Sequence, residues 1–360
     1  MEVSSLNLKN FRNYDNYRID FNNGVNVICG KNGLGKTNLL EAMFLCAVGK
    51  SFRTSKDIEM IKNDKDKYEV GITIDKDINE SVYITYDRKR ERSIKINGLY
   101  IRKMRHLMGT LMAVVFAPED LLLISSGPSA RRRFMDISLS QLSQSYYYDL
   151  VTYNKLVNQK NIYLKHKKID SIEIDVFNEQ LAETGSRIIF ERIKFIEKIN
   201  EFSQDIHSYI TDSKEKINLK YIGSFKTDAI ENDCEKIKDD YYKILCLNLE
   251  REKEREFCLF GPHKDDLDIF LNNENLKMFG SQGQKRTAVI SMKIAELKLM
   301  EKYTGRKPVL FLDDVLSELD KKRQQKLLYF IDGIQTFITC TDFDIDIDSQ
   351  NVNLINLEQK

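Results

Sequence analysis

Apolar and polar residues alternate near the start of the chain as they do in β-strands, over residues 3–8 and 17–21. A short apolar run at residues 25–29 leads directly into a glycine-rich loop, and apolar residues then recur at the spacing of an amphipathic helix. Further strands are predicted at residues 68–74, 82–86 and 112–116, with a hairpin turn at Asn97-Gly98. This mixture of strands and helices predicts an α/β fold.

The pattern changes between residues 129 and 255. Glycine is scarce there, proline is absent, and isoleucines fall at helical intervals between residues 188 and 210. We predict a mostly helical lobe with a strand near residues 217–225. Alternating strands and helices resume near Phe257, and no linker rich in Gly, Pro or Ser separates the segments. We therefore predict one domain formed by residues 1–128 and 256–360, with residues 129–255 inserted into it.

Composition narrows the class of protein. The 360 residues are 42% hydrophobic, enough for one sizeable core or two smaller ones. The 56 basic and 55 acidic side chains leave a net charge of +1, which excludes a globally basic nucleic-acid binder but permits a local basic patch. No apolar stretch approaches the roughly 20 residues of a membrane span, and no signal peptide is recognisable. Six cysteines without a CxxC pair fit a reducing compartment, so we predict a cytoplasmic protein without membrane partners.

One segment matches the phosphate-binding pattern GxxxxGK[ST]. Glycines let the backbone curve closely enough to present several N–H groups to a phosphate, and the helix that follows adds its positive dipole end. Lys36 is expected to reach the β- and γ-phosphates, and the Thr37 hydroxyl to bind Mg²⁺. The sequence therefore predicts a site for ATP and Mg²⁺ at a loop made of Gly30, Lys31, Asn32, Gly33, Leu34, Gly35, Lys36 and Thr37.

A second segment, residues 308–314, has four apolar residues followed by two carboxylates. This pattern predicts a buried strand that delivers Asp313 to the Mg²⁺ and places Asp314 to orient or deprotonate the attacking water. Many strands end in Asp, so the pattern is informative only together with the phosphate-binding loop. The separation of 313 − 36 = 277 residues requires a large insertion between the two halves of the site.

A third segment, residues 279–286, contains Ser281, Gln282, Gly283 and Gln284 immediately before a helical pattern. Ser281, Gly283 and the helix start could form a second phosphate-binding nest. The alternative is an ordinary polar loop that caps a helix. Its position shortly before the Asp313 strand favours the phosphate-binding interpretation.

These three motifs resemble the phosphate-binding loop, the signature motif and the Walker B strand of ABC ATPases, and they come in the same order. Ser317-Glu318-Leu319-Asp320 resembles the D-loop that follows the Walker B strand in that superfamily. Within that superfamily the chain resembles, from end to end, the RecF recombination mediators, which are related to SMC heads. The stretches that carry the resemblance are LKNFRNY at 8–14, NLLEA at 38–42, GKSFRT at 49–54, FAPEDL at 116–121, Gly127-Pro128 with RRRFMD at 131–136, and FGPHKDDL at 260–267.

The resemblance implies an ABC-type ATPase head, a mixed sheet with helices, carrying an inserted helical lobe. It also implies that two subunits sandwich two ATP molecules, that the ATP-dependent homodimer binds duplex and gapped DNA, and that slow, DNA-dependent hydrolysis releases it. Through RecR-like and, in some settings, RecO-like mediators, such proteins help load recombinase at single-strand gaps during recombinational repair and replication restart. The implied location is the cytoplasm, in association with the nucleoid.

The resemblance also assigns roles to individual residues. Lys36 and Thr37 would hold phosphate and Mg²⁺, Asp313 would hold Mg²⁺, and Asp314 would be the catalytic carboxylate. Ser281 and Gly283 would touch the γ-phosphate across the dimer, and Arg12 would reach a phosphate. The implied nucleotide-binding set is Arg12, Gly30, Lys31, Asn32, Gly33, Leu34, Gly35, Lys36, Thr37, Asn38, Ser281, Gln282, Gly283 and Gln284.

Three departures from the ABC pattern have consequences. Asp314 stands where many ABC ATPases have Glu, and this shorter carboxylate predicts slow turnover. No histidine follows the Asp313 strand, so Thr339 or Thr341 takes the place of the usual switch histidine. No glutamine marks the Q-loop after Phe116; Glu119 lies nearby without an assigned role.

Basic and aromatic clusters allow two interpretations each. Lys50, Arg53, Arg131 and Arg132 are candidate DNA contacts, although charge runs are more often solvated or ion-paired. His263 is predicted to be a turn residue or to lie near the nucleotide, not to be a ligand. Residues 146–148, three tyrosines, could stack on bases but are expected to pack within the protein.

Proteins of three other classes share parts of this pattern. The nucleotide-binding subunit of a membrane transporter is disfavoured by the helical insertion and the missing switch histidine. A cohesin-like or SMC-like structural ATPase needs much longer coiled coils than the 255 − 128 = 127 residues of the lobe. A module that binds ATP without hydrolysing it is disfavoured by the complete motifs.

Overall fold

The structure, a computed structural model, describes residues 2–75, 79–166, 170–227, 233–341 and 352–359. The chain forms two compact units, which are Met1–Asp120 together with Ile290–Lys360, and Leu121–Val289. The first part of the first unit contains β1 (Glu2–Phe11), β2 (Tyr14–Asp20), β3 (Val25–Cys29), α1 (Lys36–Val48), β4 (Lys67–Asp75), β5 (Glu80–Asp87), β6 (Arg92–Ile96), β7 (Leu99–Tyr100) and β8 (Ala113–Phe116).

The second unit is mainly helical. Its elements are α2 (Leu122–Ser125), α3 (Pro128–Leu142), α4 (Gln144–Tyr163), α5 (Ser171–Thr211), β9 (Ile217–Ile222), α6 (Cys234–Leu247), α7 (Leu249–Arg255), β10 (Asp266–Leu271), β11 (Glu274–Asn275) and α8 (Leu276–Phe279). Helix α9 (Gln282–Thr304) begins in this unit, and its residues from Ile290 onward belong to the first unit. The first unit then ends with β12 (Val309–Asp313), α10 (Lys321–Phe330), β13 (Thr336–Cys340) and β14 (Val352–Asn356).

Within the described residues, the strands of the first unit form two sheets. One is antiparallel, with strand order β2-β1-β4-β5-β6-β7, and the other is parallel, with order β14-β3-β13-β12-β8. Strands β8, β12 and β13 are buried along their whole length, as expected for parallel strands covered on both faces. The predicted α/β fold is confirmed.

Helix α1 is enclosed more completely than its sequence pattern predicted. It contacts strands of both sheets, including β4 and β12, and buried positions extend around its circumference. Because little of the helix faces water, even Glu41 has no exposed surface. The helix therefore lies between the two sheets, and the amphipathic pattern alone did not show this.

In the second unit, β9 pairs with β10 and β10 with β11 in an antiparallel sheet. This pairing joins residues 266–275 to the strand that follows α5. The compact unit, Leu121–Val289, extends beyond residues 129–255 at both ends. The functional division into one ATPase domain and one inserted lobe stays a proposal. Helix α5 spans 41 residues, and its Gly185 leaves room for Tyr153 and Tyr241, which a Cβ atom at that position would meet at 3.1 and 2.6 Å.

Candidate nucleotide-binding site

The phosphate-binding loop, residues 30–37, joins the end of β3 to the start of α1. Gly35 has a φ of 102°, a conformation that side chains rarely adopt, and a Cβ atom there would lie 2.7 Å from the Asn13 side chain. Glycine is therefore required at this position both by the backbone angle and by the space available. Helix α1 begins directly after it, so its first N–H groups face the concave side of the loop.

The Lys36 side chain is buried within the curve of this loop. Its ammonium donates hydrogen bonds to the carbonyl oxygen of Gly30, to that of Lys31 at 3.3 Å, and to Oδ1 of Asn32 at 3.4 Å. A positive charge is thus held where the loop converges. This arrangement suits a ligand that carries several negative oxygens.

The loop meets the predicted Mg²⁺ strand at Asp313. The Thr37 hydroxyl donates to Asp313 Oδ1 at 2.8 Å, and the Thr339 hydroxyl donates to the same oxygen at 2.8 Å. Strand pairing explains the contact, because Asp313 is the register partner of Thr339, and β13 lies between β12 and β3. Burial raises the pKa of Asp313, and the two hydroxyl donors oppose that effect.

A hydroxyl and a carboxylate oxygen 2.8 Å apart fit the preference of Mg²⁺ for hard oxygen ligands. Thr37 and Asp313 would hold the ion, which when bound would neutralise phosphate charge. No group of three or more His, Cys, Asp or Glu residues suited to a metal occurs in the described part of the chain. In nucleotide sites generally, Mg²⁺ is bound by one or two carboxylates together with substrate phosphates.

Asp314 follows in a left-handed conformation, with a φ of 53°. Its backbone N–H donates to Thr339 Oγ1 at 2.9 Å, and the Ser317 hydroxyl donates to its carbonyl oxygen at 2.7 Å. These bonds turn the chain out of β12 directly after Asp313. Asp314 is half-buried, whereas Asp313 is buried.

The two candidate substitutes for the switch histidine have different surroundings. Thr339 bridges Asp313 and the Asp314 amide, whereas Thr341 lines a cavity of about 550 Å³ beside the loop. Residues Cys29 to Asn32 line the same cavity, together with Leu354, Asn356 and Glu358 of the C-terminal segment. Glu119 is exposed in a turn after β8.

Arg12 and Arg53 converge on the buried carboxylate of Glu41. Arg12 donates from Nε at 2.8 Å and from Nη2 at 2.6 Å, and Arg53 Nη1 lies 3.4 Å away. Arg53 also donates to Asn38 Oδ1 at 2.8 Å. The structure thus brings both arginines to the first turns of α1, and the predicted phosphate contact of Arg12 stays a prediction. Lys50 is exposed after the end of α1.

The segment that resembles the ABC signature motif, residues 279–286, lies in the second unit and caps α9. The Ser281 N–H donates to Gln284 Oε1 at 2.9 Å, and the Gln284 N–H donates to Ser281 Oγ at 3.3 Å. This reciprocal pair is a capping box, so the helix-capping interpretation is correct for the isolated chain. Gln282 is exposed, and a Cβ atom on Gly283 would meet nothing within 4 Å, so the space beside Gly283 is open. The phosphate contact across a dimer stays a prediction.

Two of the candidate DNA contacts are engaged inside the second unit. Arg131 is buried and forms a two-pronged ion pair with Asp266, with N–O distances of 2.6 and 2.9 Å. Its guanidinium is therefore not available to DNA, and that prediction is corrected for Arg131. Arg132 is half-buried and donates to the Asp265 carbonyl oxygen at 2.8 Å.

His263 is likewise a structural residue of the second unit. Nε2 lies 3.2 Å from the Cys258 carbonyl oxygen and must donate to it, so Nδ1 of the neutral ring accepts from the Tyr153 hydroxyl at 2.7 Å. Tyr146, the first of the three consecutive tyrosines, is buried and donates to Asp136 at 2.6 Å.

Comparison with known proteins identifies the family. The family model "RecF/RecN/SMC N terminal domain" matches residues 2–355. The chain is 41% identical over 362 residues to the DNA replication and repair protein RecF of Clostridium perfringens, with 99% of each protein covered. It is 44% identical over 349 residues to the RecF of Acetivibrio thermocellus, covering 96% of this chain and 94% of that protein. The chain belongs to the RecF family.

Solved structures agree with this assignment. The structure described as the recombination mediator protein RecF-ATP in the RecFOR pathway matches with a TM-score of 0.91 and 34% identity, covering 96% of this chain and 93% of that one. An SMC head bound to the C-terminal winged-helix domain of ScpA matches with a TM-score of 0.54 and 16% identity, which shows a shared fold. The predicted ABC-type ATPase head is confirmed, and RecF proteins are ABC-type ATPases.

The role of Glu41 was missed by the sequence analysis, which used it only as part of a RecF-like stretch. The available signal was a single carboxylate within an otherwise apolar run, residues 39–48. Such a residue is almost never fully buried unless it is paired.

No helix in the described part of this RecF-family chain is long and apolar enough to cross a membrane.

Proposed function

We propose that this chain is an ATP-dependent DNA-binding protein of recombinational repair and replication restart. It binds ATP and Mg²⁺, dimerises with two nucleotides at the interface, and in that state binds duplex and gapped DNA. Slow hydrolysis, stimulated by DNA, ends the bound state. A RecR-like mediator and, in some settings, a RecO-like mediator act with it to load recombinase at gaps, in the cytoplasm and at the nucleoid.

The observation that carries the proposal is the contact between Thr37 and Asp313. These residues are 276 positions apart, yet their side-chain oxygens lie 2.8 Å from each other. This contact supports the proposal that the two halves of an ATP and Mg²⁺ site meet in the first unit. The relatives are DNA replication and repair proteins, and this supplies the biological setting.

Family membership favours this function over the alternatives. A transporter subunit or an SMC-like structural ATPase shares the ATP motifs, but the matching relatives are RecF proteins over nearly their full length. A module that binds ATP without hydrolysing it is disfavoured by the paired carboxylates Asp313 and Asp314, of which the second stands where a water-activating group is needed.

The first experiment is to measure the mass in solution with and without ATP and Mg²⁺, and to add duplex or gapped DNA to each sample. We expect a dimer and DNA binding only with ATP. In the matched variant Lys36→Arg, which keeps the charge but alters the phosphate contact, both should be lost. The proposal would be contradicted if the wild-type protein stayed monomeric and did not bind DNA, either with or without ATP and Mg²⁺.

A further inference from the structure

The turn between β1 and β2, residues Arg12 and Asn13, lies directly against the phosphate-binding loop. The Asn13 side-chain amide donates to the Leu34 carbonyl oxygen at 3.0 Å, and the Tyr14 hydroxyl donates to the Gly35 carbonyl oxygen at 3.2 Å. Asn13 is itself held on its other side, because Asn38 Nδ2 donates to its Oδ1 at 2.8 Å. The turn thus contacts two consecutive peptide groups of the loop.

These contacts act on the orientation of the loop amides. In a planar trans peptide, the C=O of one residue and the N–H of the next point in opposite directions. A donor that holds the Leu34 carbonyl on the outside of the loop therefore directs the Gly35 N–H inward. The Gly35 carbonyl also accepts from the Asn38 N–H at 2.9 Å and from the Leu39 N–H at 3.3 Å. Tyr14 adds a third donor, which helps to fix the direction of the Lys36 N–H.

The space around Gly35 supports this arrangement independently. A Cβ atom on Gly35 would lie 2.7 Å from both Nδ2 and Oδ1 of Asn13 and 2.9 Å from the Tyr14 hydroxyl. Both side chains therefore close onto the same glycine. Their polar atoms leave this part of the loop little freedom to rotate.

The turn is anchored by a buried ion pair. Arg12 has a left-handed φ of 52°, and its guanidinium donates twice to Glu41 and once to the Glu59 carbonyl oxygen at 2.8 Å. The Ser51 hydroxyl donates to Glu41 at 2.5 Å. Glu41 lies on α1, one turn after Thr37, and has no exposed surface. The pair therefore ties the turn to the helix that begins at the loop.

We propose that Asn13 and Tyr14 are positioning residues of the nucleotide site, which orient the Gly35 and Lys36 amides toward the phosphates, and that the Arg12–Glu41 pair holds them in place. This inference rests on the proposed function, since it concerns the same ATP site. It gives Arg12 an anchoring role in place of a direct phosphate contact.

The test compares Asn13→Ala, Tyr14→Phe and the double variant with wild type. Dissociation constants for Mg²⁺-ATP and Mg²⁺-ADP are measured together with thermal unfolding. Each variant loses one hydrogen bond to a loop carbonyl, and Asn13→Ala also loses the bond from Asn38. We therefore expect both constants to rise by about threefold to tenfold per substitution and by the same factor for ATP and ADP. The matched control is Tyr83→Phe, which removes a hydroxyl that bonds to Glu69 within the antiparallel sheet, and which should leave both constants unchanged.

Arg12→Lys tests the anchor while keeping the charge and losing the two-pronged contact. It should weaken ATP and ADP binding equally, with little further loss in the Asn13→Ala/Tyr14→Phe background, because the residues act through one another. If Arg12 contacts a phosphate directly, Arg12→Lys should raise both dissociation constants by the same factor in the double-variant background as in wild type. That result would overturn the anchoring role.

If the double variant binds ATP and ADP with affinities within twofold of wild type, while Lys36→Ala loses ATP binding, this inference is overturned. The proposed function then still stands. Failure of the wild-type protein to bind ATP would overturn both. If the double variant is too unstable to measure, Tyr14→Phe alone decides, because it removes only one oxygen atom.

Discussion

Asp313 and Asp314 are neighbours in the chain but have different chemical surroundings. Asp313 is buried, and one of its side-chain oxygens accepts hydrogen bonds from two threonine hydroxyls. Asp314 is half-buried, and its own backbone turns with a φ of 53°. The turn explains how consecutive carboxylates can serve separate purposes. In the proposed function, Asp313 would hold a cation and Asp314 would act on water.

We therefore expect Asp314→Asn to lower the hydrolysis rate by about 100-fold or more, because the amide cannot accept a proton. ATP affinity should change little, since Asp313 and the loop are untouched. Single-turnover hydrolysis and ATP titration separate the two quantities. A variant that retains wild-type turnover would exclude Asp314 as the catalytic carboxylate.

His263 makes the stability of the second unit depend on pH. Burial lowers the pKa of His263 from 6.5 to about 4, so the ring is neutral in the folded protein at neutral pH. Between these two pH values the unfolded chain binds a proton that the folded chain does not. Stability is therefore lost as the pH falls through this window, and is fully present above it.

Replacing His263 with Gln should reduce this sensitivity. We expect the free energy of unfolding of wild type to fall by about 2 kcal/mol more than that of His263→Gln between pH 7 and pH 5. Urea unfolding at both pH values measures the difference. The matched control is His106→Gln, at an exposed position, which should behave like wild type. Equal pH dependence of wild type and His263→Gln would contradict the prediction.

At the scale of elements, the site is formed by the ends of three adjacent parallel strands. The loop follows β3, Thr339 lies near the end of β13, and Asp313 ends β12. Since the carboxyl ends of parallel strands share one edge of a sheet, motifs far apart in sequence meet there. The order of the motifs predicted this meeting, whereas the position of β13 between the other two strands required the structure.

In helix α5, burial differs between apolar residues at different positions along the helix. Ile199 has no exposed surface, whereas Ile172, at the start of the same helix, is 74% exposed. Ile199→Ala should lower the free energy of unfolding by about 2–4 kcal/mol because it leaves a cavity. Ile172→Ala should change it by less than about 0.5 kcal/mol. Urea denaturation of both variants checks this, and similar losses at the two positions would contradict the packing described.

At the scale of the whole molecule, the net charge of +1 means that the proposed DNA binding would depend on local basic groups. Of the candidates in the described chain, Arg131 is committed to Asp266, whereas Lys50 is exposed. We expect Lys50→Ala to reduce the slope of log affinity for DNA against log salt by about one. Lys89→Ala, an exposed lysine beyond β5, is the matched control and should keep the slope. An unchanged slope in Lys50→Ala would remove it from the DNA contacts.

Much of the fold and site could be predicted because it depends on local rules. The glycines of the phosphate-binding loop, the buried strand before Asp313 and the helical period of α5 each determine a conformation within a few residues. The joining of residues 266–275 to the strand that follows α5 could not be predicted, because it depends on pairing between β9 and β10, whose alternating patterns do not specify a partner.

The sequence by itself determined the α/β class, the phosphate-binding loop, the buried strand that ends at Asp313 and the family, since each is encoded in contiguous residues. The tertiary structure alone decided which charges pair. Glu41 is buried between Arg12 and Arg53, and Arg131 is bound to Asp266, 135 positions away. A charge pattern shows that ions are present, but only the packing of distant elements determines whether each faces water, a partner or a ligand.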